Sequence, residues 1–323
     1  TRIIKMATEF NPEDMYADDD MVITISHLGY IKRTPLADFR QQGRGGVGAK
    51  ASSARDEDFI EYVHQANMHS TMMFFTEQGR LYWTKVYELP EGNRQSKGRA
   101  LQNMINIQKG DKVCAFIHVK NLNDMEYVQN HYLIFATKDG LMKKTTLESY
   151  SRPRANGIIA LGLREGDRLI RVTLTDGNSQ MLVASYNGKV VRFPEDTVRP
   201  MGRTATGVRA IKLDEDGQDR VIGMICVEEG SKESVLVISE KGFGKRTDLD
   251  DENGEPIYRI TNRGGKGVKT MNLTDKTGNL IGLEAVTDEQ DLMLITKSGT
   301  AIRMAMDTIR VMGRATQGVK LIE

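Results

Sequence analysis

The stretch Tyr132 to Thr145, YLIFATKDGLMKKT, reads as two short apolar strands joined at Asp139-Gly140. Asp-Gly is a strong two-residue hairpin signal, because a type I′ turn needs positive φ at both central residues. Outward from it the same pattern recurs five more times along the chain. The copies are MVITISHLGYIKRT (Met21 to Thr34), MMFFTEQGRLYWTK (Met72 to Lys85) and QMLVASYNGKVVRF (Gln180 to Phe193). SVLVISEKGFGKRT (Ser234 to Thr247) and DLMLITKSGTAIRM (Asp291 to Met304) complete the set. The turn glycines Gly29, Gly79, Gly140, Gly188, Gly242 and Gly299 are separated by 50, 61, 48, 54 and 57 residues. A period on the order of 50 residues is the length of one four-stranded propeller blade.

A second glycine follows each hairpin: Gly48, Gly98, Gly157, Gly207, Gly267 and Gly318. Beyond it comes an alternating apolar stretch such as GVRAIKL or GVKTMNL, then a turn and a further strand such as GDRLIRVTL. Each repeat thus supplies about four strands, and no segment carries long helical periodicity. Six units that cannot bury their faces alone are expected to pack radially into an all-β, six-bladed β-propeller or β-pinwheel, which also protects the sheet edges. The expected organisation is one domain over 1–323, with blades at approximately 21–70, 71–130, 131–178, 179–232, 233–289 and 290–323. Residues 1–20 would hold an acidic connector (Asn11 to Asp20) and a closing strand (Arg2 to Met6) that completes the sixth blade.

Composition removes several alternatives. No apolar run approaches the roughly 18 residues of a membrane span, and Thr1 to Phe10 lacks the basic-then-apolar pattern of a signal peptide. Cys114 and Cys226 lie far apart inside apolar runs, which points to two buried thiols in a reducing cytosol and no disulfide framework. The histidines His27, His64, His69, His118 and His131 show no metal-ligand spacing. No nucleophile has a base and an orienting group at motif spacing. The expectation is a chain without catalytic site, metal or cofactor. A protein-interaction propeller of the Trp-Asp type is disfavoured, since the one tryptophan, Trp83, is followed by Thr84.

The net charge of +1 hides a segregation. The windows 29–50, 79–99, 140–157, 188–209, 242–269 and 299–320 hold 29 Lys and Arg against 12 Asp and Glu, while the remainder holds 16 against 32. Because the windows recur at one place in every repeat, a closed ring would gather them into a continuous basic perimeter. Such a surface suits duplex DNA. The absence of recurring aromatics weighs against single strands, and no recognition helix is available for base-specific reading. The expected perimeter comprises Lys32, Arg33, Arg94, Lys97, Arg99, Lys143, Lys144, Arg152, Arg154, Arg192, Arg203, Lys245, Arg246, Arg263, Lys266, Arg303 and Arg314.

Within the windows an arginine precedes the second glycine by four residues at Arg44, Arg94, Arg203, Arg263 and Arg314, each preceded by Gly or Asn. These residues tolerate left-handed backbone. The motif reads as a bent loop that turns Arg outward beside exposed backbone N–H groups, a good phosphate holder. The plainer reading is an arginine that caps a carbonyl. Gly43 to Gly48 has P-loop glycine spacing, but Ala49 stands where that motif demands Lys.

Gln42-Gly43-Arg44-Gly45-Gly46-Val47-Gly48 resembles the seven-residue box of the DNA gyrase A subunit, Gln-Arg-Arg-Gly-Gly-Lys-Gly, with Gly43 and Val47 in place of two basic residues. The segments SHLGYIKRTPLADF and DFIEYV are similar to the first blade of that subunit's C-terminal domain, and Asn262 to Gly267 is a second box-like string. The resemblance spans all six repeats. It implies a non-catalytic domain that wraps duplex DNA around its perimeter and directs ATP-dependent negative supercoiling, with residues 42–48 as a DNA-binding box. It also implies gyrase B and the rest of the gyrase A protein as partners in an A2B2 complex, in the bacterial cytoplasm on the chromosome. The isolated domain is then expected to be monomeric, without membrane contact. The equivalent domain of topoisomerase IV is the alternative.

Overall fold

The computed structural model describes residues 15–40, 58, 60–93, 95–295 and 301–322. The fold is all-β: five four-stranded sheets and one two-stranded hairpin, with only short helical turns between. In spatial order the first sheet is Ile60–Asn67, Asp20–Ser26, Tyr30–Pro35 and Arg99–Ala100. The second is Ile158–Ile159, Arg80–Lys85, Thr71–Thr76 and Val113–Val119, and the third Leu169–Thr175, Tyr132–Thr137, Leu141–Thr146 and Val208–Arg209. The fourth is Val221–Glu228, Ser179–Ser185, Lys189–Pro194 and Val268–Lys269, and the fifth Leu280–Val286, Ser234–Ser239, Phe243–Asp248 and Val319–Lys320. The sixth repeat contributes the hairpin Asp291–Ile295 with Ala301–Ala305.

Two expectations are corrected here. A repeat does not supply its own four strands; it supplies three, and a two-residue strand from the next repeat closes the sheet. The second hairpin strand would otherwise expose an unpaired edge. Six four-stranded blades were expected, whereas five sheets of four strands and one of two are formed among the described residues. The proposed closing strand Arg2 to Met6, residues Asn11 to Asp14 of the acidic connector, and Gly299 lie outside the described residues.

The chain divides into two compact units, and the division runs through the strands of the second sheet. One unit is Thr1–Met73, Trp83–Asn106 and His118–Asn121, and contains the first sheet. The other is Phe74–Tyr82, Ile107–Ile117 and Leu122–Glu323, and contains the third to fifth sheets and the hairpin. Within this larger unit the core lies between consecutive sheets. Met181 and Val183 pack with Ile134, Ala136 and Met142 of the third sheet. Leu182 and Ala184, on the opposite face of the same strand, pack with Val235, Val237 and Phe243 of the fifth. Leu236 and Val286 in turn meet Met306 and Ile309 beside the hairpin. The period-2 alternation of a strand feeds two cores at once.

Because both faces are covered, the second hairpin strand of the first, third, fourth and fifth sheets is buried along nearly its whole length. Seven of the residues expected on a DNA-binding perimeter, Lys32, Arg33, Lys143, Lys144, Arg192, Lys245 and Arg246, are therefore interior. This is a correction to the sequence expectation, which took strand-borne Lys and Arg as surface groups. Four of them grip the next repeat near the end of its own hairpin. Arg33 Nε donates to Leu89 O at 2.8 Å, and Arg246 Nη1 to Met306 O at 3.0 Å and Asp288 at 2.6 Å. Arg192 Nη1 reaches Leu249 O, Tyr258 O and Asp250 at 3.0–3.1 Å. Lys144 pairs with Glu195 at 3.2 Å, and the other Glu195 oxygen accepts from Ser179 N at 3.0 Å. Cys114 and Cys226 are free thiols, half-buried rather than fully buried, and burial pushes the Cys226 thiol up to about 12.

Glu195→Ala should cost about 3–5 kcal/mol in chemical denaturation, because it strands the buried Lys144 charge. Asp291→Ala, which breaks the exposed pair with Arg303, should cost no more than about 1 kcal/mol. Gly207 has φ +104°, and a Cβ there would run into Met142 O, so Gly207→Ala should cost at least about 2 kcal/mol. Nothing lies within 4 Å of a Cβ at Gly202, and Gly202→Ala should shift the denaturation free energy by about 0.5 kcal/mol or less.

Candidate nucleic-acid interface

The second glycine of a repeat sits where its backbone crosses the preceding hairpin. A Cβ on Gly98, Gly157, Gly267 or Gly318 would approach Ile31 O, Leu81 O, Val190 O or Gly244 O to within 2.4–2.7 Å, and each has positive φ. Only glycine allows that approach at that φ. The next two residues then pair with the hairpin, as Val208 with Met142 and Arg209 with Leu141, or Val268 with Val190 and Lys269 with Lys189. The second residue of the pair is exposed at Ile159, Arg209, Lys269 and Lys320, and half-buried at Ala100.

The loop before that glycine carries the repeated arginine. Arg203 Nη1 donates to Ile159 O, Arg263 Nη1 to Arg209 O at 3.2 Å, and Arg314 Nη1 to Lys269 O at 2.7 Å. These arginines are half-buried, so the outward-turned reading is corrected: each caps a carbonyl of the preceding repeat's edge strand. Backbone bonds continue the link. Gly264 N donates to Ala210 O at 2.7 Å, Lys212 N to Gly265 O at 2.9 Å, Gly162 N to Ala205 O at 3.1 Å and Asn272 N to Thr316 O at 3.0 Å. Four consecutive loops of the larger unit are thereby joined edge to edge.

The buried lysines hold these loops from inside. Lys143 Nζ donates to Arg203 O, to Ala160 O at 2.6 Å and to Tyr150 Oη at 3.0 Å. Lys245 Nζ donates to Gly313 O, Arg314 O and Thr316 O at 2.6–3.0 Å. Lys32 Nζ does the same for Asn93 O and Ser96 O at 2.9 and 2.7 Å. Burial lowers all three ammonium pKa values, Lys143 to about 7 and Lys245 to about 8. The fifth repeat's loop crosses Val190 and Val191 instead of a lysine, and its backbone bonds suffice there.

The remaining expected residues fall into place around the loops. Arg99, Arg152, Arg154, Lys266 and Arg303 are exposed, and Lys97 is half-buried with Nζ 3.9 Å over the Tyr30 ring. The box Gln42, Gly43, Arg44, Gly45, Gly46, Val47 and Gly48, together with Arg94, lies outside the described residues. Sequence reasoning missed Arg199, Arg209, Arg259, Lys269, Arg310 and Lys320, all exposed on the loops or their edge strands. A signal for them was present: 149–164, 197–213, 256–274 and 308–322 contain no Asp or Glu. Arg259 and Lys266 also line a hollow with Asn262, Gly265 and Gly267. Linked loops with exposed cations and no carboxylates make a band of positive potential that can hold several phosphates in succession.

Among the described residues no group of three or more metal-ligating side chains occurs, and no helix is long and apolar enough to cross a membrane. His64 and His118 do meet, Nε2 to Nδ1, at 2.6 Å.

Comparison with known proteins agrees with this architecture. The family described as "DNA gyrase C-terminal domain, beta-propeller" matches in six segments, 20–67, 70–120, 131–176, 180–228, 233–287 and 290–323. The DNA gyrase A protein of Staphylococcus aureus strain NCTC 8325 is 42% identical over 314 residues, covering 97% of this chain and 34% of that protein. That of strain COL is 42% identical over 310 residues, covering 96% and 34%. The chain thus spans about a third of the length of these relatives. Among solved structures, the C-terminal domain of DNA topoisomerase IV matches with a TM-score of 0.75 at 23% identity, covering 95% of this chain and 90% of that one. The DNA gyrase A C-terminal domain matches with 0.74 at 22%, covering 94% of each. The fold is therefore shared with both, and the chain belongs to the DNA gyrase C-terminal domain, β-propeller family.

Proposed function

We propose that the chain is a non-catalytic module that binds duplex DNA without sequence preference and bends it along the linked arginine loops. The observation that carries this reading is the band itself: four loops hydrogen-bonded in series, each with exposed Arg or Lys, on stretches without a single carboxylate. Bending stiff DNA costs energy that only further contacts recover, and a surface repeating once per sheet supplies them. Residues 42–48 would start the path, and Asn262 to Gly267 would reinforce it. The finer architecture follows the same reading: one domain whose sixth repeat, matched by the family at 290–323, forms a sixth blade.

The parent protein is read as the gyrase A component of a DNA gyrase, joined to gyrase B as A2B2 in the bacterial cytoplasm and acting on the chromosome. Wrapping there would direct an ATP-dependent type IIA topoisomerase toward negative supercoiling. Fold likeness does not separate gyrase from topoisomerase IV, since the two TM-scores are 0.75 and 0.74. The relatives at 42% identity are gyrase A proteins, which favours the first.

Relaxing circular DNA with a type I topoisomerase in the presence of the chain should leave a linking-number shift of constant sign that grows with the amount bound. No shift would overturn the wrapping reading. Arg199→Ala, Arg259→Ala and Arg310→Ala together remove three exposed cations, and should make the slope of log affinity against log salt shallower by about 2.7. Thermal stability should be unchanged within about 0.5 kcal/mol, as expected for surface substitutions. An unaltered slope would place the DNA elsewhere on the surface.

A further inference from the structure

Adjacent basic residues of a hairpin strand, as at Lys143-Lys144 and Lys245-Arg246, meet different fates. Of the four that grip the next repeat's strand end, three are neutralised: Lys144 by Glu195, Arg192 by Asp250 and Arg246 by Asp288. The neighbouring lysine under the arginine loop is not. Lys143 and Lys245 bond to carbonyls and hydroxyls, and neither forms an ion pair with a carboxylate among the described residues. The charged or titratable groups facing Lys143 are Tyr150 and Arg203, and the one facing Lys245 is Arg314. A second cation beside a buried ammonium is a costly arrangement that a fold with abundant Asp and Glu does not correct.

From this we infer that Lys143 and Lys245, though sealed from solvent, are positioning residues of the phosphate-binding loops: each fixes an arginine loop from below and adds an uncompensated charge that an incoming DNA phosphate balances. The inference rests on the DNA-binding reading and assigns to the interior a part of the interface. Its consequence is a proton linkage. In the free protein the two ammonium groups titrate near neutrality, Lys143 at about 7 and Lys245 at about 8. A phosphate over the loop stabilises the protonated form and raises both values. Binding therefore takes up protons, and affinity falls as pH rises through the free-state values.

The test uses the full chain and a duplex of mixed sequence at fixed salt. Calorimetric titration at pH 8 in buffers of different ionisation enthalpy reads the protons exchanged. About one proton should be taken up per chain, with affinity falling by about tenfold per pH unit in that window. Lys143→Met with Lys245→Met should abolish the uptake and flatten the pH profile. Lys143→Met should also be strongly non-additive with Arg203→Ala in DNA affinity and additive with Arg263→Ala, whose loop has no lysine beneath it. Tight binding by the wild-type chain without proton uptake overturns the inference while leaving the DNA reading intact, and that measurement stands even if the variants do not fold. Uptake that survives in the double variant overturns it as well. Absence of duplex binding by the wild-type chain removes both readings.

Discussion

The structure depends on one close crossing, in which the backbone at each described second glycine lies against a carbonyl of the preceding hairpin. That approach leaves no room for a Cβ at Gly98, Gly157, Gly207, Gly267 or Gly318. Everything on the outer edge follows from it. The two residues beyond the glycine complete a neighbour's sheet, so adjacent repeats are tied by main-chain bonds as well as by packing. The loop just before it is thereby held at that sheet's rim, where its arginine finds the carbonyl of the previous edge strand. A basic edge that repeats with the sheets is a consequence of strand exchange.

Charge divides into two roles on this frame, and position in the strand decides which. Neighbouring residues of a covered strand point to opposite faces, so a Lys-Lys or Lys-Arg pair sends one cation to the next repeat's strand end and the other to its arginine loop. At Lys144 and Arg246 the first is balanced by a carboxylate and acts as structural glue. At Lys143 and Lys245 the second has no carboxylate partner among the described residues and lies beneath an arginine loop. A buried charge without a counter-ion lowers its own proton affinity, which is why Lys143 and Lys245 stand apart from the other lysines. The fifth repeat's loop, which has no such lysine, uses glycine-rich backbone instead, at Gly264, Gly265 and Gly267, where main-chain bonds take over.

Counting Lys and Arg in the repeat windows gathered exposed loop residues and interior strand residues together. The excess was real, yet Lys32, Arg33, Lys143, Lys144, Arg192, Lys245 and Arg246 belong to the interior. The absence of Asp and Glu around each second glycine tracks the exposed cations of the loops more closely, since no carboxylate there offsets their positive potential. That reading adds Arg199, Arg209, Arg259, Lys269, Arg310 and Lys320, all exposed.

From the sequence alone the repeat, its hairpins and the all-β class are legible, since alternation of apolar residues and turn chemistry are local properties. So are the recurring arginine and glycine of the loop. Which repeat a strand serves is not, because a two-residue strand such as Val208–Arg209 carries no periodicity and its partner, Leu141–Thr146, lies some sixty residues earlier. Nor is the burial of a lysine, which depends on both faces of its strand being covered by neighbours. Only the tertiary structure decided that Lys143 looks inward to Arg203 O and Ala160 O while Lys144, one residue on, looks to Glu195. Local pattern sets what a segment can form; the neighbour that meets it sets whether its charge serves the core or the surface.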